Sequence, residues 1–412
     1  MIANQPFGPL SNIKIVDLSM WWSGPLTTQL FALMGAEVIK VESIQRIDGW
    51  RLAVKMMADA GHESAHIFNG VNLNKQGITL DLSNEEGRKL LRRLVERADA
   101  LVENYSPRVM GNLGLTDDVL YEWNPNLVIL SMPAFGLTGP WRDYVGFAPT
   151  IEQLSGLPEL TGERDGPPVL SGHSVADPTA GLSGCLALLA ALRRAKATGR
   201  GCHVDLSQLE ALTFLLGPAL VAEQLTGSPP PRYGNGHPSA APHGVYPCEG
   251  EEQWVVLSVR TDSEWTSLCD AIGRPELAGD TRFSDALNRW RNQRQLDDLI
   301  GAWTARHSNT RAAELLQEAG VPSGPVYWPS QLLADPHLRE RGYFVELDRD
   351  VVGRHPYPGI PFRFSRTPGR VVSAAPTLGQ HNQAILQGLL GLSQEQIDAL
   401  RAAQVIGEQP LE

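Results

Sequence analysis

The chain has 412 residues, of which 42% are hydrophobic and 20% are charged, and its formal net charge at pH 7 is −11. A chain of this length exceeds what one hydrophobic core usually organises, so we expect two domains. The negative net charge excludes nucleic acid and anionic membranes as general partners, and an anionic ligand would need a local basic patch.

The cysteines and the apolar runs indicate the cellular compartment of the protein. The four cysteines are Cys185, Cys202, Cys248 and Cys269, and none has CxxC spacing. This pattern predicts reduced thiols rather than disulfides or a zinc framework. The N-terminus has no basic-then-apolar signal, and no apolar run reaches the roughly 18 residues of a membrane span. We therefore expect a soluble, cytoplasmic protein without membrane partners.

Predicted strands alternate with predicted helices through the first part of the chain. The predicted strands cover residues 13–18, 38–42, 78–82, 100–104 and 127–131. The helices between them include residues 26–34 and 83–97, and a capping box from Ser83 to Glu86 opens the second. This alternation predicts an α/β fold with a doubly wound, Rossmann-like parallel sheet and ligands at the strand carboxyl ends. The first turn, residues 19–25, lacks GxGxxG, so no dinucleotide site is predicted.

A long apolar run follows Asp177 and predicts a buried helix over residues 182–192. Asp177 before Pro178 is a helix-start signal, because the carboxylate can cap free amides and proline suits the first helical position. The same position has a chemical consequence. The positive helix end favours the ionised carboxylate, and small Ala180 and Gly181 leave room for a substrate, so Asp177 could act as a nucleophile. These residues alone leave both interpretations open.

The second half of the chain changes composition at residues 227–236, where glycine and proline predict a linker. A strand at 202–206 and a helix at 208–225 are predicted before it. The clearest strands after it are 254–259 and 343–347. The predicted organisation is a large α/β domain at 1–226 completed by a C-terminal segment at 330–412, a linker at 227–244, and a smaller mixed α/β domain at 245–329.

The order of short motifs along the chain resembles the class III CoA-transferases, a family that also contains formyl-CoA and carnitine CoA-transferases and 2-methylacyl-CoA racemases. The motifs are residues 15–18 (IVDL), 23–25 (SGP), 35–42 (GAEVIKVE), 72–75 (NLNK), 98–105 (ADALVENY), 135–140 (FGLTGP), 177–181 (DPTAG) and 198–201 (TGRG). Each motif is short, but their order and spacing run over nearly the whole chain. The fold that this resemblance implies is an interlocked homodimer with a large and a small domain.

The resemblance also implies the residues of the site. Asp177 stands where the family places its catalytic aspartate, and a coenzyme A thioester is the implied substrate, with no permanently bound cofactor and no metal. Contacts with CoA are implied for residues in loops or just after strands, namely Trp22, Ser23, Leu73, Asn74, Lys75, Asn104, Tyr105, Ala134 and Phe135. Lys75 is expected to pair with a phosphate.

Two positions depart from the family pattern. Ser43 and Asn112 stand where related enzymes often have arginine, so we expect Arg46, Arg51 or Arg108 to compensate. The implied reaction moves CoA from an acyl-CoA to a carboxylic acid through an aspartyl anhydride and an aspartyl-CoA thioester, without ATP. Backbone amides near Gly136 and at residues 234–236 are the expected donors to the oxyanions.

The racemase branch of the same family is the main alternative. Racemisation next to a thioester needs two opposed acid/base groups, and the racemases that the chain resembles pair a histidine with the aspartate. Phe147 stands at the position of that histidine and cannot carry a proton. His173, four residues before Asp177, is the candidate substitute. The resemblance therefore favours the transferase over the racemase.

Two further classes of protein are open at this point. Residues 62–66 (HESAH) match the HExxH pattern of zinc hydrolases, in which both histidines bind zinc from one helix. Gly61 and the pair Asn69-Gly70 argue against that helix, so no metal site is predicted. The other class is a protein that binds CoA without catalysis, and detection of thioester exchange would distinguish it.

Overall fold

The computed structural model describes residues 7–57 and 61–411. The chain divides into two compact units. The first takes the described residues of Met1–Leu157, Leu170–Gln224 and Arg339–Glu412, and the second takes Pro158–Val169 and Leu225–Leu338. Residues 158–169 and the predicted linker at 227–244 thus belong to the second unit.

The first unit is built on a parallel sheet of six strands in the order β3-β2-β1-β4-β5-β6. The strands are β1 Lys14–Asp17, β2 Glu37–Glu42, β3 Gln76–Thr79, β4 Ala100–Glu103, β5 Val128–Ser131 and β6 Cys202–Asp205. Each adjacent pair is parallel, which confirms the predicted α/β class. The strand order reverses between β1 and β4, so the loops after these two strands diverge and leave a crevice.

Helices connect the strands along the described chain. In order they are α1 Ser23–Leu33, α2 Gly49–Met57, α3 His66–Val71, α4 Glu85–Val95, α5 Arg108–Asn112, α6 Asp117–Trp123, α7 Ala148–Ser155, α8 Leu157–Leu160, α9 Ala176–Thr198, α10 Gln208–Phe214, α11 Gly217–Thr226, α12 Asp262–Ala271, α13 Ala286–Arg291, α14 Gln293–Thr304, α15 Asn309–Glu318, α16 Pro329–Ala334, α17 Pro336–Glu340 and α18 Gln394–Ala402. Single 3₁₀ turns lie at His62–Ser64, Pro275–Gly279 and Thr281–Phe283, and Ala384–Leu389 is π-helical.

Helices cover both faces of the six-stranded sheet. On one face, Leu30 of α1 and Leu188 of α9 pack with Val128 of β5. On the other face, Leu91 of α4 and Ile397 of α18 belong to a second apolar cluster. Strands buried on both sides need apolar residues in nearly continuous runs, which is why the strand pattern was recognisable in the sequence.

β3 lies at an edge of the sheet, and the C-terminal segment covers it. The Thr79 N–H donates to Asn382 Oδ1 at 2.9 Å, and the Asp81 N–H donates to the Val405 carbonyl at 2.8 Å. These bonds satisfy backbone groups that an edge strand would otherwise expose. The last part of the chain therefore completes the first unit.

Two local predictions are wrong. The predicted helix at 208–225 is two helices, α10 and α11, because Pro218 has no N–H for a continuous helical ladder. The predicted capping box at Ser83 is absent from this helix start. Asn84 is the cap, and its Oδ1 accepts from the Glu86 N–H at 2.9 Å.

The second unit has its own small sheet and core. Its antiparallel strands are β7 His243–Pro247, β8 Trp254–Ser258 and β9 Ser323–Val326, in the order β7-β8-β9. Trp265 and Phe283 belong to its apolar cluster. The first unit also contains an antiparallel pair, β10 Phe344–Arg349 and β11 Gly353–Pro358. Only β8 and β10 of these five strands were recognised in the sequence.

The four cysteines are free thiols, and three of them are buried. Of the helices that the structure describes, none is both long and apolar enough to cross a membrane.

Candidate active site

A cavity of about 710 Å³ opens in the first unit at the carboxyl ends of the parallel strands. Residues that follow five of the strands line it, and these include Met20, Ser43, Leu80, Asn104 and Pro133. A volume of this size lies within the range of small-molecule sites, and the position is the one expected for a doubly wound sheet. Asp177 reaches the same cavity from the start of α9.

Asp177 lies in the first turn of α9 but does not cap it. The N-cap is Val175, without a side-chain hydrogen bond, and the Asp177 N–H donates to the Ser174 carbonyl at 3.0 Å. The N-cap interpretation of Asp177 is therefore wrong, because the helix begins two residues earlier than the proline signal indicates. The carboxylate is left available for chemistry in the cavity.

Burial dominates the ionisation of Asp177. It raises the pKa of the carboxyl to about 6, although the nearby N–H and hydroxyl of Ser23 act in the opposite direction. At pH 7 a group with this pKa has about ten ionised molecules for each protonated one. Asp177 is therefore ionised near neutrality, yet more basic than an ordinary aspartate.

Ala180 and Gly181 do not open space for a substrate, which corrects the prediction. Both are buried in the packing of α9 against α1. A Cβ added at Gly181 would lie 3.0 Å from the Ser23 carbonyl oxygen and 3.0 Å from a methyl carbon of Leu26. The small residues bring two helix starts together, and the substrate space lies on the other side of Asp177.

The structure brings some of the predicted CoA contacts to the cavity and leaves others away from it. Asn104, Tyr105, Arg108 and Ala134 line the cavity with Asp177. The lining does not include the remaining predicted residues, which are Trp22, Ser23, Leu73, Asn74, Lys75 and Phe135. Among these, Ser23, Leu73 and Lys75 are almost completely buried.

Lys75 has a structural role instead of the predicted phosphate contact. Its Nζ donates to Asp17 Oδ2 at 2.9 Å, to Asn72 Oδ1 at 2.8 Å and to the Pro25 carbonyl at 2.9 Å. All three ammonium hydrogens are thereby used. Burial alone would raise the pKa of Asp17, but Lys75, Lys40 and two hydroxyl groups lower it to about 2.

Asn74 and Phe135 also serve the fold. The Asn74 side chain donates to the Arg370 carbonyl at 2.7 Å and accepts from the Val372 N–H at 2.8 Å. The buried ring of Phe135 packs edge-on against Trp141 and Tyr144. Both side chains therefore stabilise neighbouring loops and do not form the wall of the cavity.

Three arginines supply the positive charge of the cavity. Arg46 and Arg108 are exposed there, and neither forms an ion pair with any residue that the structure describes. Arg142, which the sequence analysis missed, also lines the cavity and has a pair only with its neighbour Asp143, at 3.7 Å. Arg51 is buried and bonds to Glu42 and Glu63, so it cannot replace a missing phosphate contact.

Aromatic rings form one wall of the cavity. Trp21 has a left-handed backbone with φ of 63°, which is uncommon outside glycine and often marks a functional site. Its ring contacts those of Trp50 and Phe147, each with a centroid distance of 5.3 Å. Trp50 had no recognisable signal, because a lone tryptophan is as often a core residue.

The HExxH stretch does not form a zinc-hydrolase helix. His62 and Glu63 lie in a 3₁₀ turn, while His66 begins α3. The Glu63 carboxylate bonds to the buried guanidinium groups of Arg51 and Arg349. It therefore serves as a structural anion, and the residues described contain no cluster of three potential metal ligands.

Two of the expected oxyanion donors are already used. The Gly234 N–H donates to the Gly162 carbonyl at 3.0 Å, and the Gly236 N–H donates to the Tyr233 carbonyl at 2.9 Å, all within the second unit. Gly136 is not among the residues that line the cavity. The expected role of the Asn235 amide and of amides near Gly136 stays a prediction.

Comparison with known proteins identifies relatives over the whole chain. The family model described as CoA-transferase family III matches residues 10–382. A succinyl-CoA–D-citramalate CoA-transferase of Chloroflexus aurantiacus is 35% identical over 98% of this chain and 100% of that protein. A succinate–glutarate CoA-transferase of Agrobacterium fabrum is 32% identical over 92% of this chain and 96% of that protein. The crystal structure of a CAIB/BAIF family protein from Brucella suis, 32% identical, superposes with a TM-score of 0.85 over 93% of this chain and 100% of that one.

Proposed function

The chain belongs to CoA-transferase family III, and from that premise we propose that Asp177 is the nucleophile that carries CoA between two acids. The assignment of the family confirms the resemblance noted in the sequence. The observation that supports the role of Asp177 is its position, with a pKa raised to about 6, in a cavity at the strand carboxyl ends. A basic, ionised carboxylate facing a ligand cavity is suited to covalent catalysis.

The proposed reaction proceeds through two covalent intermediates. A carboxylate oxygen of Asp177 attacks the thioester carbon, the carbon–sulfur bond breaks, and CoA thiolate leaves behind a mixed anhydride. The thiolate then attacks the side-chain carbonyl carbon of Asp177 and expels the first acid as a carboxylate. The acceptor acid takes CoA from the aspartyl-CoA thioester by the same steps in reverse. One thioester is consumed and one is formed, so no ATP is required.

We propose that Arg46 and Arg108 bind the phosphates of CoA in place of the arginines absent at Ser43 and Asn112. Changing either to alanine should raise the KM for acyl-CoA about tenfold and leave kcat nearly unchanged, because a phosphate contact made equally in ground and transition states affects binding alone. Steady-state kinetics check this, with Arg92→Ala on the surface of α4 as the matched control. A lower kcat at unchanged KM would contradict the assignment.

We propose a dicarboxylic acid as the partner in transfer. The relatives described above are named for succinyl-CoA with D-citramalate and for succinate with glutarate. Arg142 supplies the cavity with a third cation that suits a second carboxylate. The aromatic wall at Trp21 and Phe147 favours an acid larger than formate.

The test is a matrix of acyl-CoA donors and acids, read by mass spectrometry. Succinyl-CoA, glutaryl-CoA and acetyl-CoA would each be incubated with succinate, glutarate, citramalate, malate and acetate. We expect CoA to move onto dicarboxylic acids, and without an acceptor we expect borohydride to reduce an adduct located at Asp177. Exchange with no pair, although acyl-CoA binds, would indicate a CoA-binding protein instead.

The racemase alternative lacks a second base. Phe147 lines the cavity at the position where the resembled racemases keep their histidine, and neither His173 nor any other histidine is among the lining residues. Inversion needs an acid on the face opposite Asp177. Deuterium uptake and racemisation of a chiral 2-methylacyl-CoA in D₂O would overturn this preference.

We propose that the enzyme is a homodimer, interlocked as the family resemblance implies. Large apolar side chains are exposed on neighbouring helices of the first unit, including Leu186 of α9 at 71% and Phe214 of α10 at 84%. Leu182, one turn before Leu186 on α9, is also exposed, at 60%, and large apolar side chains exposed together are typical of interfaces. Sedimentation analysis should give twice 44.9 kDa, and a stable active monomer would contradict the proposal.

A further inference from the structure

The ring of Trp21 occupies the space that a side chain at Gly49 would take. A Cβ added at Gly49 would lie 2.1 Å from Cζ2, 2.2 Å from Cε2 and 2.5 Å from Cη2 of that ring. Cβ atoms in folded proteins essentially never come closer than 3.0 Å to another group. The backbone of Gly49 is not left-handed, so its conformation does not require glycine. The ring of Trp21 does.

Asp48 joins the backbone of Trp21 to the start of α2. Its Oδ1 accepts from the Trp50 N–H at 3.0 Å and from the Trp21 N–H at 3.4 Å. Its Oδ2 pairs with the Lys40 ammonium at 3.3 Å, and both of these side chains are inaccessible to solvent. A tryptophan with a left-handed backbone persists only where its surroundings hold it. Asp48 supplies that restraint, so the position of the ring is fixed.

The cavity is the side of the Trp21 ring that is left open. Gly49 lies against one side, and the rings of Trp50 and Phe147 pack edge-on at centroid distances of 5.3 Å. Trp50 is itself packed on an apolar cluster that contains Phe68. Since Trp21 lines the cavity, a side chain at Gly49 would displace the ring toward it. The contact would have to lengthen from 2.1 Å to about 3.4 Å, where ordinary contact begins.

Trp21 and Phe147 approach the reacting carboxylate from two directions. Trp21 lies two residues before the start of α1, and α1 packs against α9. Phe147 is the N-cap of α7, and Ala148 of α7 shares a small apolar cluster with Ala176 of α9. Asp177 follows Ala176 and lines the same cavity as both rings. We therefore expect the acyl group bonded to Asp177 to lie against these rings.

We propose that Trp21 limits the length of the acid that the enzyme accepts, and that Gly49 sets the position of Trp21. This inference rests on the proposed function. The carbon chain of the acid extends from its carbonyl carbon into the cavity, and the ring takes the room that a longer chain would need. Dicarboxylic acids of different length carry the same charge, so only such a steric contact distinguishes them.

The test is a competition between acids, because a ratio of products cancels any common loss of activity. Succinyl-CoA is the donor, and isotopically labelled succinate and glutarate are present at equal concentrations. Mass spectrometry then gives the ratio of glutaryl-CoA to labelled succinyl-CoA. Gly49→Ala should lower this ratio at least about tenfold, since one methylene in an apolar pocket changes kcat/KM by about 10–200-fold.

Gly301→Ala on α14 is the matched control. No atom of the described residues lies within 4 Å of a Cβ added at Gly301, so the ratio of products should not change.

Removing the ring tests the inference from the opposite direction. Trp21→Gly introduces a residue that adopts the left-handed backbone without strain, and it should raise the ratio of glutaryl-CoA to labelled succinyl-CoA. When Trp21→Gly is already present, Gly49→Ala should have no further effect on the ratio, because the added methyl group has no ring to displace.

Three outcomes would overturn the inference. The first is an unchanged ratio in Gly49→Ala, which means that the ring does not meet the acid. The second is an equal fall of the ratio with and without the Trp21 ring. Both leave CoA transfer intact, whereas the third, an unaltered enzyme that moves CoA onto no acid, also rules out the proposed function. If circular dichroism shows that Gly49→Ala does not fold, Trp21→Gly decides, and an unchanged ratio there overturns the inference.

Discussion

Replacing Asp177 with alanine should lower CoA transfer by at least about 10³-fold, because removal of a covalent nucleophile removes the pathway. The other carboxylates that line the cavity are all engaged. Glu42 bonds to Arg51, Asp48 pairs with Lys40 at 3.3 Å, and Asp81 accepts from the Ser83 N–H. We therefore expect none of them to take over the attack. Single-turnover transfer with the best donor and acceptor gives the rate.

The loss should not reflect unfolding. Asp177 makes no side-chain cap on α9, so its truncation leaves the helix start intact, and circular dichroism melting should be close to that of the unaltered protein. Asp177→Asn is the matched control, since it keeps the size of the side chain but cannot attack a thioester. Turnover near normal in either variant would return Asp177 to a structural role.

Lys75→Ala should have the largest effect on stability, lowering the free energy of unfolding by about 3–5 kcal/mol. The side chains of Lys75 and Asp17 are both inaccessible to solvent, so the substitution leaves a buried carboxylate without its nearest cation. It also removes the donor to the Pro25 carbonyl at the start of α1. Urea denaturation monitored by circular dichroism measures the change.

An exposed lysine provides the comparison. Lys89 pairs with Glu85 and Glu86 on the surface of α4, and Lys89→Ala should lower the free energy of unfolding far less than Lys75→Ala does, because solvent screens the exposed pair. The lowered pKa of Asp17 adds a dependence on pH. A carboxyl with a depressed folded pKa contributes stability above its unfolded value, 3.8, that is lost as the pH falls toward about 2. The difference in the free energy of unfolding between Lys75→Ala and the unaltered protein should become smaller as the pH falls from 3.8 to about 2. A variant as stable as the unaltered protein would show that Lys75 is solvated.

The parallel sheet and the place of Asp177 beside the cavity were predictable from the sequence for physical reasons. Short apolar strands such as β4 and β5 are buried on both faces and leave a clear pattern, and Asp177 stands in a motif whose place in the chain is distinctive. The position of the cavity followed from the topology, because ligands of doubly wound sheets bind at the strand carboxyl ends. These features depend on local patterns or on their order.

The roles of buried charges were not predictable in the same way. Lys75 looks like a surface lysine, and its partner Asp17 lies 58 positions earlier in the chain. Arg51 was expected at a phosphate, but its partners Glu42 and Glu63 meet only when β2 and the 3₁₀ turn are folded. Gly181 was interpreted as open space for a related reason. A missing side chain has the same sequence signature whether substrate or another helix approaches it.

The covering of β3 by the C-terminal segment has a consequence for synthesis on the ribosome. Asn382, which bonds to Thr79, is translated 303 residues later, and the whole second unit emerges in between. At a translation rate of roughly 5–20 residues per second, the edge of β3 stays uncovered for on the order of 15–60 s before the C-terminal segment is made. Arg349 likewise reaches Glu63 only after 286 further residues. The edge of β3 is therefore uncovered in the nascent chain during this period. A chaperone bound then would prevent the edge from pairing with another chain.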